Sequence, residues 1–567
     1  MPRVLLTSLL VPALALLGWL GFAQRVPRAD FVLTSGEPRT LDPHRVSWLP
    51  EIQLAATLFE GLTRLNAETF TPEPAVAERW DVSADERVYV FHLRPTARWS
   101  TGEAVTAEDF RFAWLRVLDP RSEAPYANLL FVVRGAREYY NSRLNDEAAD
   151  DVPAAAVAVS ADDERILRVE LTSPCPYFLE LTSFITLVPS HRPTLERWAY
   201  RDGRVLRSTQ HLWTRPAHLV CNGPFRLARW EFKRSIGLER NPHYWDAATI
   251  GVSTIEAWIT TDPGAALVAY ETGRVDLVRW LEAPVAEVLL AEQRAGRRRD
   301  FYTGDRFATF FYRVNCRRPP LDDPNVRKAL SLALDRDALC EHVLRLGEKP
   351  AWTLVPRPTL ARMTRSGPGG PIVRYEPPSG LGAALSPAQR AERARAYLRR
   401  SGFGTRIESR PIEITFSPDP EQRALAEAVQ AMWESTLGLR VELRPQEPKV
   451  LSSRIRDLDY DVARSDWFGD YLDPDAFLGL FVSGSGLNRT GWTQAEYDRL
   501  VAEAASEADD ARRYALLAAA ERILCEEELP IIPVFHRRGN YLLNSRFTGI
   551  RDNVRDLLQI HRVRRVE

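Results

Sequence analysis

The sequence predicts an α/β protein built from several domains. The 567-residue length corresponds, at roughly 150 residues per domain, to three or four units. Hydrophobic residues at 45% and charged residues at 27% suit packed soluble domains and exclude both a disordered chain and a polytopic membrane protein. Strand-like alternation and helix-like periodicity succeed one another along the chain, with no internal repeat.

The amino terminus reads as a targeting segment. One positive charge in Met1 to Arg3 precedes an almost wholly apolar run, Val4 to Ala23, before Arg25 and Arg28. Gly21-Phe22-Ala23 places small residues where a secretory signal peptide is cut, yet a run of about 20 residues is also long enough to span a bilayer. Residues 1–29 are therefore expected to be a signal peptide or a membrane anchor, and in either case the remainder is exported. No cysteine lies near the end of the run, so a lipid anchor there is not expected.

Arg87 to Arg94 alternates as a strand, and Thr101-Gly102 marks a turn. Thr106 and Asp109 form a capping box for a helix whose Phe110, Ala113, Trp114, Val117 and Leu118 share one core-facing side. Ile166 to Leu171 is a further strand. Ala265 to Glu271 predicts a short helix that Gly273 ends in the left-handed conformation before a strand at Val275 to Val278. Asp323 with Pro324 opens a helix carrying Val326, Ala329, Leu330, Ala333 and Leu334, and Asp335 starts the next. Ile412 to Phe416, Pro420 to Leu437 and Arg440 to Leu443 read as strand, helix, strand, a right-handed crossover. Pro356 to Pro387 is the loosest stretch, a surface excursion rich in Pro, Gly and Ser.

Lys and Arg total 75 against 76 Asp and Glu, a net charge of −1, so no global field favours nucleic acid or anionic lipid. Only Lys233, Lys328, Lys349 and Lys449 are lysines, a bias toward arginine that composition alone explains. The five cysteines have no CxxC spacing; Cys175 and Cys221, each beside turn formers, are a possible disulfide or two buried thiols. Nine dispersed histidines without HExxH give no metal site, and no nucleophile elbow, phosphate loop or dinucleotide fingerprint is present. An exported α/β chain without such punctuation is expected to bind rather than to catalyse, its ligand in a cleft between domains.

Several segments carry a family resemblance. In order they are Gly36-Glu-Pro-Arg-Thr-Leu-Asp-Pro-His44, Leu58-Phe-Glu-Gly-Leu62, Pro74-Ala-Val-Ala-Glu-Arg-Trp80, Ser173-Pro-Cys-Pro-Tyr-Phe178 and Asn222-Gly-Pro-Phe225. Arg240-Asn-Pro-His-Tyr-Trp245, Asp323-Pro-Asn-Val-Arg-Lys-Ala-Leu330 and Asp461-Val-Ala-Arg-Ser-Asp-Trp-Phe-Gly-Asp-Tyr-Leu-Asp-Pro474 follow. From Phe31 almost to its end the chain resembles the family 5 extracellular solute-binding proteins, in particular the periplasmic oligopeptide-binding proteins of ABC transporters.

That resemblance implies a two-lobed periplasmic-binding-protein (type II) fold, with three domains around a ligand cleft and a hinge between the lobes. Mapped onto this chain, domain I is 31–72, 198–306 and 537–567, domain II is 73–197 and domain III is 307–536. It further implies a peptide ligand, delivery to a membrane permease and its ATPase, and a monomer with no enzymatic activity, cofactor or nucleic-acid partner. In similar receptors the W-x-x-D-Y segment supplies the carboxylate that takes the peptide's α-amino group, here Asp470, with helix capping as its alternative role. Arg464 matches an arginine placed for the peptide carboxylate; an internal ion pair with Asp461 or Asp466 is its alternative. Trp467 is expected as a cleft wall or a core residue, Tyr126 as a ligand-facing tyrosine and Glu60 as a residue near the cleft. Ala308 and Phe468 stand where some receptors carry a cysteine bridge, so that bridge is absent. Pro533-Val-Phe-His-Arg537 lacks the tyrosines of some relatives. A membrane-tethered sensor or scaffold of the same fold, or a receptor for a sugar or metal complex, is the alternative.

Overall fold

The computed structural model describes residues 28–66, 70–144, 152–198, 200–201, 204–205, 212–357, 364–365, 373–402 and 410–566. The apolar run Val4 to Ala23 and most of 358–372 lie outside the described residues. Among the described residues no helix is long and apolar enough to cross a membrane.

An eleven-stranded sheet forms the backbone of the molecule. From one edge its strands are Phe225–Glu231, Ser235–Arg240, Thr254–Ile259, Phe31–Ser35 and Leu277–Arg279, then two long strands, Ile531–Leu543 and Phe301–Val314. Val462–Phe468, Ile412–Phe416 and Val441–Pro445 complete the order, and the short Lys349–Pro350 pairs with Ile531–Leu543 off this path. The long strands run through both halves of the sheet. Their antiparallel register holds from Phe301↔Leu542 to Asp305↔Arg538, slips, and resumes at Thr309↔His536. Such an irregularity locally increases twist and bends the bulged strand, and it falls where the two halves meet. Within it, on the other side of the strand, Ala308 lies directly opposite Phe468, the two positions named above for the missing cysteine bridge.

A second, four-stranded sheet orders Ala77–Val82, Val88–Leu93, Ile166–Glu170 and Val159–Asp163, all antiparallel. The helix Ala107–Val117 packs on it. Thr106 Oγ1 accepts from Asp109 N at 3.3 Å, the Asp109 carboxylate accepts from Thr106 N at 2.9 Å, and Phe110, Ala113, Trp114, Val117 and Leu118 are buried. Each such large apolar side chain taken fully out of water contributes about 1.5–3 kcal/mol.

Local signals elsewhere act in the same way. Asp262 caps Pro263–Glu271, and Gly273 follows it at φ 71°. Asp323 caps Pro324–Leu332, and Asp419 caps Pro420–Leu437, whose Leu425, Ala426, Val429 and Trp433 cover the second half of the large sheet. That helix connects two parallel strands, as its crossover pattern requires. The helix started by Asp335 is short: Arg336–Ala338 gives way to a π-helical turn, Leu339–Leu344. Cys175 and Cys221 are separate buried thiols, not a disulfide. The described part of the loose stretch is anchored at Tyr375, which is buried and donates to Glu521 Oε2 at 2.5 Å.

Candidate ligand-binding site

The strand Val462–Phe468 delivers its last residues into a tightly braced loop. Gly469 N donates to Phe307 O at 2.8 Å, and a side chain at Gly469 would collide with the Phe307 and Phe477 rings. Trp467 Nε1 donates to Ala476 O at 2.8 Å. Tyr471 stacks on Tyr177 with ring centroids 4.0 Å apart, and both hydroxyls donate to Asp475 Oδ2, at 2.8 and 3.0 Å. Asp473 accepts from Asp475 N at 2.9 Å and takes both terminal Arg513 nitrogens, at 2.7 and 2.8 Å, while the Asp470 carboxylate makes no such contact with the short helix Asp475–Leu478.

Asp470 is held differently. Its main-chain oxygen accepts from Arg555, whose other nitrogen pairs with Glu180 at 2.5 Å, while Leu472 N donates to the same Glu180 at 3.1 Å. No hydrogen bond or ion pair among the described residues reaches the Asp470 carboxylate. Burial raises its pKa from 3.8 to about 6, with Arg555 pulling the other way. Half-buried, and with its nearest cation, Arg555, bonded to Glu180 and to a main-chain oxygen, the carboxylate is costly to keep charged unless something else supplies a partner. It opens into a cavity of about 690 Å³ between Pro125, Asn128 and Leu129 on one side and Trp467, Tyr471 and Leu480 on the other.

The other sequence-predicted residues divide between this place and elsewhere. Trp467 lines the Asp470 cavity. Tyr126, packed edge-on against Phe184 at 5.2 Å, has its hydroxyl pKa raised by burial and then by the Asp470 charge, so it belongs to the same neighbourhood. Arg464 does not share the cavity. It donates to Gln422 at 3.1 Å and pairs with Asp466 at 3.1 Å, and Arg537 meets the same carboxylate at 3.1 Å. Asp461 is engaged instead by Arg318 and Arg410. Glu60 is buried under Tyr244, whose hydroxyl donates at 2.5 Å, and Trp245, whose indole donates at 2.6 Å. It lines a different, smaller cavity of about 140 Å³ that Arg555 also borders.

Two more cavities meet at Trp280. One, about 340 Å³, is lined by Ser35, Gly36, Trp48 and Trp280; the other, about 570 Å³, by Trp280, Glu348, Glu421 and Arg537. Trp280, at a left-handed φ of 57°, is shared by both, and its ring meets Phe468 at 6.2 Å. A bulky residue in that conformation is strained, a common mark of a functional cleft. The braces Tyr177, Glu180, Asp475 and Arg555 were not singled out from the sequence. Arg555 and Glu180 are 375 positions apart, so no local pattern links them. Among the described residues no group of three or more His, Cys, Asp or Glu is placed to hold a metal ion.

Comparison with known proteins accounts for this architecture. Residues 71–489 match the family described as bacterial extracellular solute-binding proteins, family 5 Middle. The chain is 32% identical over 525 residues to the dipeptide-binding protein DppE of Bacillus subtilis, covering 92% of this chain and 89% of that one. It is 31% identical over 521 residues to the periplasmic oligopeptide-binding protein OppA of Salmonella typhimurium, covering 90% and 86%. The murein tripeptide binding protein MppA of Escherichia coli superposes with a TM-score of 0.81 at 28% identity, covering 96% and 99% of the two chains. Haemophilus influenzae OppA in complex with the peptide RPPGFSPFR gives 0.78 at 27% identity, covering 95% and 99%. The unliganded open form of MppA gives 0.72 at 28% identity, covering 96% and 98%. With its mixed α/β fold built on one large sheet, a cleft where the halves of that sheet meet, and a match over most of its length, this chain belongs to the family 5 bacterial extracellular solute-binding proteins.

Proposed function

We propose that this protein is the extracytoplasmic receptor of an ABC importer, binding peptides in the cleft between two lobes and releasing them unchanged to a membrane permease and its ATPase. The observation that carries the reading is the Asp470 carboxylate, half-buried, without a hydrogen bond or ion pair among the described residues, and facing a cavity bounded from two sides. A peptide's ammonium terminus is a fitting counter-charge, because its own loss of hydration is offset only by a fixed carboxylate. The relatives named for dipeptides, oligopeptides and murein peptide support the same ligand class.

In this reading Trp467 is an apolar wall, Tyr126 flanks the ammonium site, and Glu60 supports the cleft from behind through Tyr244 and Trp245. Arg464 contributes as part of the Asp466 and Arg537 ion network. The lobes divide as domain I (31–72, 198–306, 537–567) with domain II (73–197), against domain III (307–536). The register slip between Asp305 and Thr309 supports a hinge there. The better match to the peptide-complexed OppA than to the open MppA supports a closed arrangement of the lobes. Residues 4–23 are a cleaved signal or a retained anchor, and the receptor works as a monomer.

The test is calorimetric titration of the purified protein with a free peptide and its N-acetylated form. Tight binding of the free peptide alone supports the reading. Equal affinity for both removes the ammonium site, and a failure of all peptides to bind makes a sugar or metal complex the leading ligand.

A further inference from the structure

The cavity of about 570 Å³ at the far side of Trp280 has a charge distribution that the peptide backbone does not explain. Its walls come from the π-helical turn and the residues after it, from the first turn of the helix Pro420–Leu437, and from the end of the strand Ile531–Leu543. Every arginine lining it is engaged. Arg537 is divided between Glu421 and Asp466, each at 3.1 Å; Arg538 donates to the carbonyls of Leu346 and Gly347 and pairs with Asp305 at 3.5 Å. Arg345 pairs with Glu287 at 3.4 Å. Glu348 makes no ion pair among the described residues: it is 8% exposed and its Oε2 accepts the backbone N–H of Leu346 at 3.0 Å, with only backbone donors reaching it. Burial, reinforced by the nearby Glu421, raises its carboxyl pKa against the opposing pull of backbone N–H donors and the Arg538 charge. Glu282 and Asp419, the latter already capping its helix, add negative charge without a cation among the described residues.

We infer that this cavity is a subsite for a basic side chain of the bound peptide, whose ammonium or guanidinium group pairs with Glu348. The inference rests on the peptide-receptor reading. Phe535, Val343 and the Trp280 face give the apolar lining that a lysine or arginine stem requires, and an indole face itself attracts a cation. The Trp280 ring that lines this cavity meets Phe468, two residues before Asp470 in the chain, so the cavity lies beside the Asp470 loop. A ligand cation there offsets the desolvation of Glu348, which the already engaged Arg538 relieves only in part.

The test uses the purified full chain and competition against a labelled peptide, with alanine peptides of four to six residues in which one position is lysine or its uncharged isostere norleucine. At one position lysine should bind about tenfold or more tighter than norleucine. Glu348→Gln should abolish that difference while leaving the all-alanine parent's affinity unchanged. If the parent binds and lysine equals norleucine everywhere, or if Glu348→Gln keeps the preference, the subsite is refuted and the receptor reading stands. If no peptide binds, both fall. The native-protein comparison decides the matter even if the variant folds poorly.

Discussion

Replacing Asp470 with asparagine should make the protein more stable while weakening its grip on peptides. The folded carboxyl has a pKa of about 6 against 3.8 in the ordinary state. Because the folded state holds the proton more tightly, stability is fully present below pH 4 and is lost as pH rises through 6. A shift of about two units, at ~1.4 kcal/mol each, means that the partly desolvated charge costs up to about 3 kcal/mol at pH 7. Asparagine keeps the shape without the charge. For a chain of 567 residues, at ~2 cal/mol/K of unfolding entropy per residue, the melting temperature should rise by about 2 to 3 °C at pH 7 and by nothing near pH 4. Binding should move the other way. Loss of one partner of a buried charge pair weakens a free peptide by roughly 30-fold or more. In the native protein, affinity should fall about tenfold between pH 7 and pH 5 as the empty site takes up a proton, and the asparagine variant should show no such slope. Scanning fluorimetry across pH and calorimetry at the two pH values read both effects. A variant less stable than the native protein at pH 7 would show that the carboxylate has an internal partner, and the reasoning would fail.

Removing the Arg513 side chain with Arg513→Ala leaves Asp473 buried without its bidentate partner and should cost about 3–5 kcal/mol, read as a lowered urea midpoint. Tyr244→Phe removes a hydrogen bond to the Glu60 carboxylate and should cost about 1.5–3 kcal/mol of stability. Because Glu60 does not line the Asp470 cavity, peptide affinity should stay within about twofold, and a large loss would place Glu60 in the peptide site. Burial raises the Cys175 and Cys221 thiols to about 12. A thiol reagent at pH 8 should therefore leave both unmodified until denaturant is added, and a reducing agent should not shift the melting temperature. Small-angle scattering should show a smaller radius of gyration with saturating peptide than without, since a ligand touching both lobes favours only the closed state; an unchanged profile would remove the hinge.

The sequence by itself determined what depends on neighbours within a few residues. Thr106 and Asp109 meet one helical turn apart, Asp323 reaches Asn325 N at 2.7 Å, and the apolar spacing of Leu425, Val429 and Trp433 repeats on a single face. The order of the family segments located the Asp470 loop, and it paired Ala308 with Phe468 before any register was known. Charge partners were not decided at that level. Asp461 and Asp466 both lie within three residues of Arg464, yet strand alternation and the approach of Arg537 from a distant strand gave it Asp466 and left Asp461 to Arg318 and Arg410. Asp470, Asp473 and Asp475 are likewise three carboxylates within six residues, and tertiary packing made one an ion-pair partner, one a hydroxyl acceptor and one an unpaired group. Burial and the closing of long chain loops set that difference, since a carboxylate's free energy depends on which donors reach it and how much water remains.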